Sequence, residues 1–261
     1  MSEALLTDTR NAVRFITLNR PDRHNAFDDG LIKELTAAFR AAGTDAGVRA
    51  VVLQSTGKSF SAGADLGWMK RMASYSQAEN LADAKALSAM LEALDSCPRP
   101  VVAVVQGAAY GGGVGLVACC DLVVAADNAG FCLSEVKLGI VPAVISPYVV
   151  RAMGGRQARR YAISAEVFSA ARAAEYGLVH EVVPTAGLET VRDAWLERLA
   201  GNGPKAMGAA KEIIRRAADQ PLDQDLRDWT AVRIAQIRAS REGKEGIGAF
   251  LDKRMPKWIK G

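Results

Sequence analysis

Short apolar runs alternate with stretches of helical periodicity in the first half of the chain. Residues 28–43 and 78–95 repeat apolar side chains at the spacing of an amphipathic helix. Between and around them lie four short runs with the character of strands: residues 13–18, 49–54, 101–105 and 122–125. Strands that alternate with helices predict an α/β chain.

Polar and turn-forming residues mark where several of these elements end. Asp28 or Asp29 can cap the first helix, and Gly43 is expected to stop it. Beyond Pro184 the pattern holds no convincing strand and several amphipathic helical stretches. We therefore divide the chain into an N-terminal core, residues 1–187, and a C-terminal helical region, residues 188–261, which we expect to serve oligomerisation.

Composition narrows the class of protein. The chain has 261 residues, of which 49% are apolar and 24% charged, and a net charge of +4, as in an ordinary globular protein. That charge is too small to indicate a nucleic-acid partner, and no apolar window reaches the about 18 residues of a membrane span. Four cysteines form neither a disulfide framework nor a metal-binding pattern, which predicts reduced thiols in the cytoplasm.

The sequence surrounding several familiar motifs argues against the function that each motif usually indicates. Residues 113–118 match the GxGxxG/A pattern, but a dinucleotide-binding loop begins directly after its strand, whereas residues 106–112 intervene here. The two histidines favour no catalytic triad, since His180 lies in an apolar segment and His24 in a polar turn. We expect a structural role for His180, whereas His24 is open to either a ligand contact or a plain surface role.

Three segments together carry a recognisable chemistry. Residues 59–66 and 106–115 are rich in small residues, and residues 131–142 place Glu135 among apolar neighbours. Small residues let a substrate oxygen approach backbone N–H groups, and two such groups form an oxyanion hole. A carboxyl in apolar surroundings has a raised pKa and exchanges protons near neutral pH. The three segments therefore predict stabilisation of an enolate while a proton moves at the adjacent carbon.

At these segments the chain resembles the crotonase (enoyl-CoA hydratase/isomerase) superfamily. The similar segments run through nearly the whole chain: Asn19-Arg20-Pro21, Asn25-Ala26 and residues 60–66, 107–113, 135–142, 171–179 and 242–253. The resemblance implies a spiral of ββα repeats with a C-terminal helical trimerisation region. It also implies an acyl-CoA thioester substrate, no cofactor or metal, and a homotrimer or dimer of trimers.

The resemblance also assigns roles by position. The N–H groups of Ala62 and Gly112 would bind the thioester oxygen, and Glu135 would be the acid/base at the α-carbon. Phe250 and Lys253 match a Phe-x-x-Lys pattern that reaches the CoA nucleotide of a neighbouring subunit. Further positions along the CoA and substrate path are Arg23, Ala26, Ala64, Asp65, Leu66 and Gly111.

One position departs from the best-known hydratases, which carry a second glutamate where this chain has Gly115. A single carboxyl is typical of many enoyl-CoA isomerases. A finer likeness in residues 60–72, 109–116 and 141–148 points back to hydration, because these segments look like bacterial methylglutaconyl-CoA and isohexenylglutaconyl-CoA hydratases. On this hypothesis Gly115 leaves space near the β-carbon for a branched acyl group, whose own carboxylate orients the water.

Three functions follow from the sequence. The leading prediction is an enoyl-CoA hydratase acting on a branched, carboxylated substrate such as 3-methylglutaconyl-CoA. The second is an enoyl-CoA isomerase with Glu135 as the sole acid/base. The third is a non-catalytic acyl-CoA- or RNA-binding member of the same fold.

Overall fold

The strands of the protein form two sheets in the computed structural model, which describes residues 4–259. The strands are β1 (Leu5–Arg10), β2 (Val13–Leu18), β3 (Ala50–Ser55), β4 (Ser59–Ser61), β5 (Val101–Val105), β6 (Ala108–Tyr110), β7 (Leu122–Ala126), β8 (Gly130–Cys132), β9 (Phe168–Ser169) and β10 (Glu181–Val183). The larger sheet has the order β1-β2-β3-β5-β7-β10, and the smaller one β4-β6-β8-β9.

Helices connect and cover these strands. They are α1 (Asp29–Thr44), α2 (Leu66–Met72), α3 (Gln77–Asp95), α4 (Gly112–Ala118), α5 (Ser146–Met153), α6 (Gly155–Ser164), α7 (Ala170–Glu175), α8 (Leu188–Gly201), α9 (Pro204–Asp219), α10 (Gln224–Ala239) and α11 (Arg241–Leu251). Short 3₁₀ turns occupy Pro21–Arg23, Glu135–Leu138 and Thr185–Gly187.

The chain climbs through the two sheets in a repeated ββα unit. The pairs β3-β4, β5-β6 and β7-β8 each give one strand to the larger sheet and the next to the smaller sheet, and helices follow each pair. Neighbouring strands from these pairs run parallel. The predicted α/β fold, a spiral of ββα repeats, is therefore confirmed.

Apolar runs build the core as their pattern predicts. Every residue of β5 is buried, and β3 and β7 are buried over most of their length, as is typical of parallel strands that are covered on both faces. Asp28 caps α1 by accepting a hydrogen bond from the N–H of Leu31 at 3.0 Å. The helix ends at Thr44 instead of Gly43, and β1 and the strands of the smaller sheet were not predicted.

Within residues 4–259 no strand follows β10, so the C-terminal part is helical as predicted. The expected division between residues 187 and 188 falls where α8 begins. Yet α8 packs against β5 and β7 and buries Trp195, so this first helix belongs to the core. None of the helices described here has the length and apolar character needed to cross a bilayer.

His180 has the structural role that the sequence predicts. Its Nδ1 accepts a hydrogen bond from the N–H of Val123 at 3.0 Å. Its ring meets Trp195 edge-on, with ring centroids 6.5 Å apart. The imidazole therefore ties β7 to α8.

Candidate functional site

The candidate site lies where three parallel strands of the smaller sheet end. The segments after β4, β6 and β8 carry the small residues 62–65, the glycine run 111–113 and Glu135. Because the three strands are parallel neighbours, their carboxyl ends meet at one edge of the sheet. The fold thus brings together the three segments that the sequence singled out.

Glycines let the first two segments touch. A methyl group on Gly63 would lie 2.8 Å from the carbonyl oxygen of Tyr110 and 3.4 Å from the nitrogen of Gly112. One on Gly113 would lie 2.5 Å from the carbonyl oxygen of Ser61. The two backbones are therefore pressed together at a distance that no side chain permits.

Ala62 does not supply the free N–H expected of it. Its N–H donates to the carbonyl oxygen of His24 at 2.9 Å, so it is already committed within the fold. The sequence expectation for Ala62 is wrong because the turn at His24, whose φ is 52°, lays that carbonyl beside it.

The N–H of Ala64 is the one that faces the site. Phe27 donates to the carbonyl of Gly63 at 2.8 Å and accepts from the N–H of Asp65 at 3.0 Å. In such a parallel bridge the middle residue directs its own N–H and C=O away from the partner strand. Among the residues described, no acceptor is found for the Ala64 N–H.

Gly112 provides a second unpaired N–H in the described part of the chain. It is the first residue of α4, where an N–H has no intrahelical acceptor. The preceding Gly111 adopts φ 51° and ψ −121°, a conformation open essentially to glycine, and its own N–H donates to Cys132. Gly111 therefore turns the chain so that the Gly112 N–H points out of the sheet.

The Glu135 carboxyl stands against this glycine run. Its Oε1 lies 3.2 Å from the position that a side-chain carbon on Gly111 would take. Its Oε2 is buried and has no hydrogen-bond partner among the described residues. Burial raises the pKa of Glu135, against an opposing hydrogen bond from its own backbone N–H. The site thus places a buried carboxyl of raised pKa beside two unpaired N–H groups.

The space beside Gly115 is filled, which corrects the expectation of an open pocket there. A side-chain carbon on Gly115 would lie 2.3 Å from Cγ2 of Ile145 and 3.7 Å from Cδ2 of Leu91. Ile145 is 3% exposed and packs directly over the glycine. Neither a second carboxyl nor a branch of the substrate can occupy that position, and the sequence alone did not single out Ile145.

Asp65 is bound up in the fold. Its carboxylate caps α2 through the N–H groups of Gly67 and Trp68 and pairs with Arg20 at 3.2 Å and Arg23 at 3.3 Å. Burial by itself raises the pKa of Asp65, but hydrogen bonds from Trp68, Arg23 and Gly67 and the charge of Arg20 together lower it. Its carboxylate is thus a structural group, which the expectation of a CoA contact did not foresee.

The other expected binding residues differ in accessibility. Leu66 is 81% exposed at the start of α2, and Arg23 is half-exposed beside it in the ion pair with Asp65. Ala26 is buried, and its carbonyl oxygen accepts from Arg20. Phe250 is exposed in the last turn of α11, which packs against α9 and α10, and Lys253 is exposed in the turn just after that helix.

The described residues form no cluster of metal-binding side chains. Within residues 4–259 no three His, Cys, Asp or Glu side chains are grouped as metal ligands. The groups that we assign to the site are the backbone N–H groups of Ala64 and Gly112 and the carboxyl of Glu135.

Comparison with known proteins identifies the family of this chain. A family model described as enoyl-CoA hydratase/isomerase matches residues 8–261. The chain is 34% identical to the 2,3-dehydroadipyl-CoA hydratase of Escherichia coli over 98% of both proteins. It is 35% identical to the enoyl-CoA hydratase ACTT6 of Alternaria alternata, over 90% of this chain and 77% of that protein.

A solved structure shows the same fold. The crystal structure of an enoyl-CoA hydratase from Shewanella pealeana superposes with a TM-score of 0.95 at 42% identity, covering 98% of this chain and 96% of that one. The family match spans nearly the whole chain and includes all three segments of the site. This protein belongs to the enoyl-CoA hydratase/isomerase family, the crotonase superfamily.

Proposed function

We propose that this protein adds water to the α,β double bond of an enoyl-CoA thioester. The observation that carries the proposal is the buried carboxyl of Glu135, unpartnered at Oε2, beside two unpaired N–H groups on facing segments. A thioester carbonyl that becomes an enolate needs donors on its oxygen and an acid/base at its α-carbon. The site holds both.

The N–H groups of Ala64 and Gly112 are the proposed donors to the thioester oxygen. Ala64 takes the role first expected of Ala62, because the Ala62 N–H is spent on His24. A donor of this kind acts most strongly on the enolate, whose oxygen carries more negative charge than the ground-state carbonyl. Gly111 holds the turn that aims the Gly112 N–H.

Glu135 is the proposed acid/base. As an ionised carboxylate it takes a proton from water while the water oxygen bonds to the β-carbon, and the π electrons move onto the thioester as an enolate. The protonated Glu135 then gives that proton to the α-carbon, and the carboxylate is restored. One carboxyl is thus sufficient to balance the addition, with H at the α-carbon and OH at the β-carbon.

Enoyl-CoA isomerisation is the second candidate, and Ile145 is the observation that favours it. Ile145 fills the volume beside Gly115 and leaves Glu135 as the only carboxyl that we assign to the site. A single carboxyl that removes a proton from one carbon and returns it to another moves the double bond without adding water.

We propose a carboxylated acyl group on the substrate, 3-methylglutaconyl-CoA being the example. The support is the finer sequence likeness together with the name of the E. coli relative, whose substrate is also a carboxylated enoyl-CoA. The branch of such a substrate must lie away from Gly115, because Ile145 occupies that side. The substrate carboxylate would help to orient the attacking water.

The rest of the CoA is proposed to lie along Arg23, Ala26 and Leu66. Phe250 and Lys253 would reach the CoA nucleotide bound by a neighbouring chain of a trimer or dimer of trimers. We propose that the enzyme is cytoplasmic, since the four free thiols described in the structure suit a reducing compartment. We also propose that its reaction needs no cofactor.

Incubation with 3-methylglutaconyl-CoA in ¹⁸O-labelled water tests the proposal, with 2,3-dehydroadipyl-CoA and crotonyl-CoA run in parallel. Hydration places ¹⁸O in the product of a carboxylated substrate, and mass spectrometry detects the added label. Isomerisation moves the double bond without any label. Failure of every substrate to gain label or shift its double bond would contradict both candidates.

A further inference from the structure

Phe27 touches both halves of the proposed oxyanion hole. Its backbone is paired with the segment that carries the Ala64 N–H, through hydrogen bonds to Gly63 and Asp65. Its ring tip lies against Gly112, with Cζ only 2.3 Å from the position that a side-chain carbon on that glycine would occupy. One residue therefore holds one donor by its main chain and the other by its side chain.

The contact with Gly112 depends on the full length of the aromatic side chain. Cε2 and Cε1 of Phe27 lie 3.0 and 3.3 Å from the same position, so the ring meets the glycine with its far end. A leucine stops short of these atoms, whereas a methionine extends to a similar depth. Shortening the side chain would free Gly112 to settle towards Phe27.

The ring of Phe27 is held in place by Trp68. Phe27 is 1% exposed and packs against Trp68, with ring centroids 6.4 Å apart at 48°. The indole Nε1 of Trp68 donates to Asp83 at 3.0 Å, and its backbone N–H donates to Asp65. A ring held on this side transmits its position to Gly112.

We infer that Phe27 is a positioning residue that sets the separation between the Ala64 and Gly112 N–H groups. The inference rests on the proposed function, since it gives those two donors a shared substrate oxygen. Donors that miss the oxygen by a fraction of an ångström lose much of their effect, and a misplacement of about 1 Å can cost about 100-fold in rate. Phe27 thereby acts on the reaction without touching the substrate.

Phe27→Leu tests this, with Phe39→Leu as the matched control. Both phenylalanines are buried in the same core, but Phe39 lies within α1, whereas Phe27 lies against Gly112. The readout is the ¹³C chemical shift of the thioester carbonyl in bound butyryl-CoA, which reports how strongly the two N–H groups polarise it. In Phe27→Leu we expect this shift to return towards that of free butyryl-CoA and kcat to fall about 10- to 100-fold. The affinity for butyryl-CoA should stay within about twofold, because the CoA contacts are elsewhere.

The control and a third variant make the outcome decisive. Phe39→Leu should lower the melting temperature by a similar amount without moving the ¹³C shift, and Phe27→Met should restore much of the wild-type shift. An unchanged carbonyl shift in Phe27→Leu, or an equal change in Phe39→Leu, would overturn the inference. If Phe27→Leu does not fold, Phe27→Met decides alone. The inference is then overturned if the ¹³C chemical shift of the thioester carbonyl bound to Phe27→Met equals that of free butyryl-CoA. A wild-type protein that binds butyryl-CoA without polarising its carbonyl would instead refute the proposed function.

Discussion

The Glu135 carboxyl is buried, with Oε2 unpartnered among the described residues, and this environment disfavours its charged form. A carboxyl whose pKa is raised gives up and takes back protons nearer to neutral pH than an exposed one. The proposed reaction starts from the carboxylate. We therefore expect kcat/KM to fall as the pH drops through the raised pKa of Glu135, while saturated acyl-CoA continues to bind. A rate that stays flat down to the ordinary pKa of a glutamate would contradict this.

Glu135→Gln should also change stability in a pH-dependent way. The folded protein binds a proton at Glu135 more tightly than the unfolded chain does, so this residue destabilises the fold increasingly as the pH rises above the ordinary glutamate pKa, and fully above its own raised pKa. The variant is therefore expected to melt above the wild type at pH 8. The difference should vanish as the pH falls to about 4.3, the ordinary value. A variant that melts lower at pH 8 would show that the charge is stabilised in the fold.

Gly115 and Ile145 form a matched pair, since one side chain fills the space that the other lacks. Gly115→Glu alone forces a carboxyl into Ile145, and overpacking of this kind costs about 1–3 kcal/mol before the buried charge is counted. We expect the double variant Gly115→Glu with Ile145→Gly to recover part of that loss. Denaturant unfolding measures the coupling, and simple additivity of the two changes would contradict the pairing.

The sequence singled out three segments that the fold brings together, but it misjudged which of their N–H groups are unpaired. Ala62 and Ala64 are both small residues of one segment. They are distinguished only because the Ala62 N–H donates to the carbonyl of His24, whereas the backbone of Phe27 pairs with the residues on either side of Ala64. The absent side chain at Gly115 likewise says nothing about what fills the space. Residue types predict a kind of site, whereas contacts between residues distant in sequence decide which of its groups are unpaired.

At the scale of elements, the long segments were predictable and the short ones were not. The helices α1 and α3 and the strand β5 carry enough apolar positions to show their period. The strands of the smaller sheet have two or three residues each, too few for a period to appear. Their pairing depends on the spiral, which the family resemblance supplied.

Asp65 anchors the start of α2 beside the site. Asp65→Ala removes the cap of that helix, a loss of about 1 kcal/mol, and frees Arg20 and Arg23 from their shared carboxylate. We expect a weaker affinity for acyl-CoA, since α2 begins with the exposed Leu66, and little change in kcat. Titration calorimetry with butyryl-CoA measures the affinity. A fall in kcat at unchanged affinity would place Asp65 in the chemistry instead.

In the molecule as a whole, the C-terminal helices carry several large apolar side chains that are exposed to solvent. The exposed side chains include Ile214, Val232, Ile234, Ile247, Phe250 and Leu251. All six lie on α9, α10 and α11, and exposed apolar side chains that collect in one region favour a protein contact there. We expect a sedimentation mass of three or six times the 27.7 kDa chain. A monomer at micromolar concentration would contradict the proposed assembly.

A mixing experiment tests whether Lys253 serves a neighbouring chain. The Glu135→Gln protein is expected to be inactive and the Lys253→Ala protein to bind acyl-CoA weakly. Oligomers reassembled from both would contain sites with an intact Glu135 and an intact Lys253 from the next chain. Recovery of a low KM in the mixture supports action across the interface. A mixture no better than Lys253→Ala alone would place Lys253 at the site of its own chain or outside the reaction.

Deuterium exchange at the α-carbon measures directly whether Glu135 carries a proton to and from that carbon. Butyryl-CoA incubated with the protein in D₂O is expected to gain deuterium at its α-carbon. Glu135→Gln should abolish the gain while butyryl-CoA still binds, and Glu189→Gln, a substitution at an 81% exposed side chain, should leave it intact. Continued α-deuteration in Glu135→Gln would contradict the account, whichever of the two reactions the protein catalyses.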